Sequence, residues 1–145
     1  MGRVSASAMA PRPPADAEAL WYDLSRWPAF VDGFATVLER DPEWPRAGKL
    51  VWRSTPHGRG TVHERVTEPG VSEFHDDKLT GTQRVEFAPH GEHTRVTLTM
   101  EYRIEDPNAL TPFVDLLFVR RALRDALQRT VARFAREREG DIALS

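Results

Sequence analysis

Polar and apolar positions alternate along most of this chain, and the period changes at its two ends. The cleanest period of two lies at residues 93–104 (HTRVTLTMEYRI). It puts Val96, Leu98, Met100, Tyr102 and Ile104 on one face and Thr97, Thr99, Glu101 and Arg103 on the other. The same logic predicts strands over 3–9, 35–41, 48–55, 59–68, 70–76 and 78–88. Prolines and glycines between these runs mark turns, with Pro69-Gly70 and Pro89-His90-Gly91 predicted as hairpins.

Helical spacing appears in three places. Residues 14–24 open on Pro14 and carry Leu20, Trp21 and Leu24 at i, i+1, i+4. A second short helix is predicted over about 28–34, carrying Phe30, Val31 and Phe34. The third stretch, about 110–139, meets only one breaker, Pro112, which a first turn tolerates. Its apolar stripe runs through Leu116, Val119, Leu123, Leu127, Thr130 or Val131, and Phe134. The opposite side carries Arg121, Arg124, Arg129, Arg133, Arg136 and Arg138, and predicts i, i+4 ion pairs such as Arg121–Asp125 and Arg133–Glu137. A strand, two short helices, about six antiparallel strands and one long helix give an α+β fold. The helix lies across a curved sheet of about seven strands, since each has one apolar face to bury. An internal space between them is the natural place for function.

Composition narrows the chemistry. At 145 residues the chain suits a single domain, 1–145, and 40% hydrophobic with 29% charged side chains is ordinary for a globular protein. A net charge of −2 argues against nucleic acid as the partner, although 18 of the 20 basic residues are Arg and seven of those lie between Arg120 and Glu139. The absence of Cys excludes a disulfide scaffold, a thiolate nucleophile and a Cys-type metal site. The five His lack convergent spacing, so no metal and no cofactor is expected. No stretch reaches the roughly 20 apolar residues of a membrane span, and the first residues lack a signal-peptide pattern. The expected setting is cytoplasmic, with no stable membrane insertion, and a homodimer is left open.

A few polar residues stand out on predicted inward faces. In 61–66 (TVHERV) the period of two puts Glu64 between Val62 and Val66. A carboxyl in that position is a candidate acid or base, unless the strand is an edge where Glu64 pairs with an arginine. Trp21 and Trp27 read as core, whereas Trp52 reads equally as core or cavity wall. Tyr102 and Gln83 add inward polar groups. The candidate ligand site is therefore Trp52, Glu64, Gln83, Phe87, Leu98, Met100, Tyr102, Leu123 and Leu127, with Glu64 and Tyr102 as candidate catalytic groups.

Three segments carry a family resemblance: PADAEALWYDLSRWPAFVDGF (14–34), WRSTPHGRGTVHERV (52–66) and the Arg-rich C-terminal helix. They resemble the SRPBCC superfamily, also called START-like or Bet v 1-like, and within it bacterial polyketide cyclase/dehydrase-like proteins. The resemblance implies a helix-grip fold and a hydrophobic small-molecule ligand, aromatic or polyketide-like. As an enzyme such a protein would be an aromatase/cyclase or dehydratase, with Glu64 or Tyr102 moving protons during enolisation and water loss. The superfamily also includes non-catalytic lipid or quinone carriers and chaperone-partner modules, since fold does not fix function.

Overall fold

In a computed structural model, the structure describes residues 2–56, 58–104 and 112–137, with side chains of the last segment from Leu117 onward. His57, Leu116 and Arg138, and the predicted ends of the last helix at 110 and 139, lie outside the described residues and side chains.

The elements run β1 (Gly2–Ala10), α1 (Pro14–Trp21), a 3₁₀ turn (Leu24–Arg26), α2 (Trp27–Phe30), β2 (Phe34–Arg40), β3 (Gly48–Ser54), β4 (Thr61–Glu68), β5 (Val71–His75), β6 (Leu79–His90), β7 (His93–Ile104) and α3 (Pro112–Arg136). The predicted order holds throughout. The predicted helix over 14–24 ends earlier, at Trp21, and the Asp23 carboxylate caps a separate 3₁₀ turn by accepting from Ser25 N–H. The second helix is a single turn, because the chain leaves helical geometry at Val31. Pro89 lies within β6, paired with Thr94, so that hairpin turns on Gly91-Glu92 rather than on Pro89, with Gly91 at φ +64°.

All strand pairs are antiparallel, in the order β1-β7-β6-β5-β4-β3-β2, so β1 and β2 are free edges and the sheet is open. Register aligns the inward residues in rows across the strands. One row reads Leu50, Glu64, Phe74, Gly81, Tyr102, Gly2; the next reads Val66, Ser72, Gln83, Met100, Val4. Gly2 is required in the first row, because a Cβ there would collide with the Tyr102 ring.

The helix α3 buries Leu123, Leu127, Thr130, Val131 and Phe134 against this face, as its spacing predicts. At one end three rings close the core: Phe134 lies 5.1 Å from both Trp21 and Phe30, and Trp21 is 5.4 Å from Phe30. Next to them Trp27 stacks edge-on against Trp44 at 5.9 Å and Trp52 at 6.3 Å, and its indole N–H donates to Trp21 O. The arginines of α3 make different pairs from those predicted. Arg133 joins Arg129 on Asp32, at 3.2 and 2.8 Å, while Glu137 pairs with Arg26 at 3.1 Å. The predicted Arg121–Asp125 pair is not among the described contacts either. The residue 31–33 segment lies against the helix, where Asp32 N–H donates to Thr130 Oγ1. A carboxylate fixed there accepts two arginines in place of i, i+4 partners that must order two mobile chains.

Candidate functional site

Between the sheet and α3 lies a void of about 60 Å³. Strand register brings Trp52, Glu64, Gln83, Leu98 and Met100 to its floor, and helical spacing brings Leu123 and Leu127 to its roof. Seven of the nine candidate ligand-binding residues thus line one space. Trp21, Trp27, Arg59, Asp32 and Thr130 complete the wall. A second void of about 30 Å³ lies on the other side of Glu64 and Gln83, beside Tyr22 and Trp44. Both are small next to the ~300–1,000 Å³ of a drug-sized site. Indole rings fill much of the interior, so as it stands the space fits several waters or a small fragment.

Glu64 is the chemical centre. β4 lies between β3 and β5, so Glu64 is not on an edge, and it is only 7% exposed. No arginine forms an ion pair with it among the described residues. The Trp52 indole N–H instead donates to Glu64 Oε2 at 2.7 Å. Burial pushes the Glu64 carboxyl above the ordinary carboxylate range, and the indole hydrogen bond and the Arg59 charge oppose that shift without cancelling it.

Arg59, from the β3–β4 hairpin, was not among the candidates. Its guanidinium lies 4.9 Å from the Phe74 ring centroid and 5.5 Å from that of Trp52. Its Nε donates to Asp76 Oδ2 at 2.8 Å, and Asp76 Oδ1 accepts from the backbone N–H of Lys78 and Leu79. The Nη2 atom is buried without a hydrogen-bond partner among the described residues. A guanidinium held by one edge, with a spare donor buried at the wall of a void, is suited to an oxygen of a bound molecule.

The two remaining candidates lie elsewhere. Phe87 packs against Trp21 and Tyr22, at 6.3 and 6.5 Å, and does not reach the void. Tyr102 shares a row with Glu64 but stands three strands away, roughly 14 Å at ordinary strand spacing. It is packed over Gly2, and burial raises its hydroxyl while the Arg120 charge opposes. The tyrosine that shares a void with Glu64 is Tyr22, whose hydroxyl is pushed up to about 12 by burial, with Glu18 and Glu64 adding to the effect. Tyr22 stays a neutral phenol across the physiological range.

A larger groove, about 660 Å³, lies on the outer face of the sheet. Exposed polar side chains pave it, including Arg65, Glu73 and the stacked imidazoles of His63 and His75, 4.4 Å apart. It is open to solvent and separated by the sheet from the apolar interior. The space between sheet and α3, with its buried carboxyl, is the better candidate site.

An open antiparallel sheet grips one long helix, with a buried carboxyl between them. The sequence matches the family described as "Polyketide cyclase / dehydrase and lipid transport" over residues 1–139, and the chain belongs to that family. Among solved structures it is similar to a Thermus thermophilus protein, at 20% identity over 93% of this chain and 95% of that one, with a TM-score of 0.68. The Zhui aromatase/cyclase from Streptomyces gives 15% identity over 97% of this chain and 95% of that one, with a TM-score of 0.64. A START superfamily protein from Mycobacterium smegmatis gives 17% identity over 90% and 97%, with a TM-score of 0.63. At these identities the likeness shows the fold alone. No curated protein matches the sequence.

Proposed function

We propose that this protein binds a hydrophobic, aromatic or polyketide-like small molecule in the void between sheet and α3, with Glu64, Arg59 and Gln83 holding its oxygens. The observation that carries this reading is the buried carboxyl of Glu64, which has one indole hydrogen bond and no ion-pair partner among the described residues. Such a group costs stability unless it has another use. A multi-ring ligand needs more than the present void, so α3 or the 31–33 segment moves outward on binding. The family and the aromatase/cyclase neighbour support the same class.

The finer reading is a cyclase or dehydratase activity. Glu64, biased toward its neutral form, exchanges a proton with a ligand carbonyl or its neighbouring carbon, and Arg59 Nη2 steadies the negative charge that develops on oxygen. Tyr22 replaces Tyr102 as the second hydroxyl within reach of the site. On this reading Glu64→Gln reduces turnover at least about a hundredfold while leaving the melting temperature within a few degrees.

A titration with 1-naphthol, followed by tryptophan fluorescence, tests binding directly. Saturable quenching is expected in the wild type, about tenfold weaker in Glu64→Gln for loss of one hydrogen bond from the carboxyl. Leu127→Trp fills the void and removes the response. A titration unchanged in Leu127→Trp counts against the site. The alternative, a lipid or quinone carrier, is favoured by the small number of groups in the void able to move protons. A native mass spectrum that retains a lipid or quinone would select it.

A further inference from the structure

Among the described residues most large apolar side chains are buried, but Leu117 and Phe118 on α3 are 71% and 69% exposed, more than Leu38 at 48%. They open a stretch, LFVRRALR (117–124), that contains three arginines and no acid. Arg120, Arg121 and Arg124 are all exposed. Leu117, Arg121 and Arg124 fall at i, i+4, i+7, and Phe118 and Arg121 at i, i+3, so apolar and cationic side chains share one side of the helix. The other half of α3 is different: Arg129 and Arg133 are committed to Asp32, and Arg136 Nε donates back to Ala132 O.

We infer that the 117–124 half of α3 docks on an anionic lipid surface. Two large apolar side chains sink among the acyl chains near the headgroups, and the long arginine stems carry their charge up to the lipid phosphates. Charge is what selects this partner. A neutral apolar protein surface would leave the Arg121 and Arg124 guanidinium groups facing nothing, whereas a leaflet of acidic lipids neutralises both. No described helix is long and apolar enough to cross a membrane, so the contact is interfacial and reversible. The patch also lies close to the void, because Leu117 and the void-lining Leu123 are about 9 Å apart along the helix axis. The inference does not depend on what the void binds.

Flotation of the full chain with lipid vesicles is the test. Vesicles of equimolar phosphatidylcholine and phosphatidylglycerol should carry the protein, and phosphatidylcholine alone should carry at least tenfold less. Each arginine near an anionic surface contributes roughly fivefold, so Arg121→Gln with Arg124→Gln should weaken binding about twentyfold and flatten its salt dependence. Leu117→Ser with Phe118→Ser should weaken it at least tenfold at an unchanged melting temperature, since both side chains are already in water. No flotation on anionic vesicles, or equal flotation of wild type and both double variants, overturns the inference. So does a dimer in light scattering that the Leu117→Ser, Phe118→Ser variant makes monomeric while vesicles are ignored, because the patch then belongs to a second copy.

Discussion

The two ends of the interior are built from the same strands and the same helix, yet they are packed on opposite principles. At the Phe134 end, Phe134 meets Trp21 and Phe30 edge to face, Trp21 and Phe30 are tilted against each other, and Phe30 and Phe134 are at 0% exposure. At the Glu64 end, the same sheet brings a carboxyl and an amide, and the β3–β4 hairpin a guanidinium, to the wall of a void. The first arrangement maximises burial and dispersion; the second sacrifices some of both. On the proposed function, stability and binding are therefore separated along one helix. Substitutions at the aromatic end should change folding, and substitutions at the polar end should change binding and pH response.

The largest effect is expected where packing is densest. Phe134→Ala removes a fully buried ring that touches two others, and should cost about 3–5 kcal/mol in urea unfolding. Ligand affinity per folded molecule should change little. A loss under 1 kcal/mol would mean that the aromatic end is looser than its contacts imply. Next comes Arg59→Met, which keeps the stem but leaves the Asp76 carboxylate, 1% exposed, without its cation. The two backbone N–H groups on Asp76 Oδ1 remain, so the cost should fall near the low end for a broken buried pair, about 2–3 kcal/mol. Because Arg59 also lines the void, the same variant should weaken 1-naphthol binding, which Phe134→Ala should not.

Glu64 supplies a sharper contrast through pH. Burial raises its folded pKa above the unfolded value, so the neutral form is the one compatible with the fold. Its contribution is fully present below the unfolded pKa of about 4.3 and is lost as pH rises through the folded pKa. Glu64→Gln cannot titrate. Its stability should fall below or match the wild type in acid and gain on it steadily as pH rises, read as melting temperature against pH. Parallel curves for the two proteins would remove the buried-carboxyl argument for the site.

How much of this was legible in the chain differs by residue. Period-two patterning placed Glu64, Gln83, Leu98 and Met100 on one face, and period 3.6 placed Leu123 and Leu127 opposite them, so most of the void wall follows from spacing alone. Tyr102 shows the limit of that reasoning. Register puts it on the same face as Glu64, but a shared face says nothing of distance across strands, and three strands separate the two. Arg59 and Tyr22 were missed for a different reason. The sequence puts Arg59 at the start of a strand over 59–68 and Tyr22 inside a helix over 14–24, whereas Arg59 lies in the hairpin before β4 and Tyr22 just past the end of α1, where neither period sets the side chain's direction. Only the long reach of the one side chain and the tertiary placement of the other bring them to Glu64. The size of the void was equally hidden, since it depends on how four indoles interlock rather than on which positions face inward.

The smallest predicted effect concerns the wall of the polar end. Asp32 accepts from Arg129 Nε and Nη2 and from Arg133 Nη1, and these contacts hold its carboxyl below the ordinary range. The arginine side chains are 49% and 42% exposed, so solvent screens the pairs and Asp32→Asn should cost only about 1 kcal/mol at neutral pH. The sign is opposite to that of Glu64. A lowered folded pKa gives stability that is present above the unfolded value near 3.9 and lost as pH falls through the folded one. The wild-type advantage over Asp32→Asn should therefore vanish in acid and shrink in high salt, while the Asp32 N–H bond to Thr130 keeps the segment in place. Binding should respond more than stability does. If 1-naphthol enters by parting the 31–33 segment from α3, association should quicken in Asp32→Asn and remain unchanged in Phe134→Ala. Equal association rates in wild type and Asp32→Asn would place the opening elsewhere on the wall of the void.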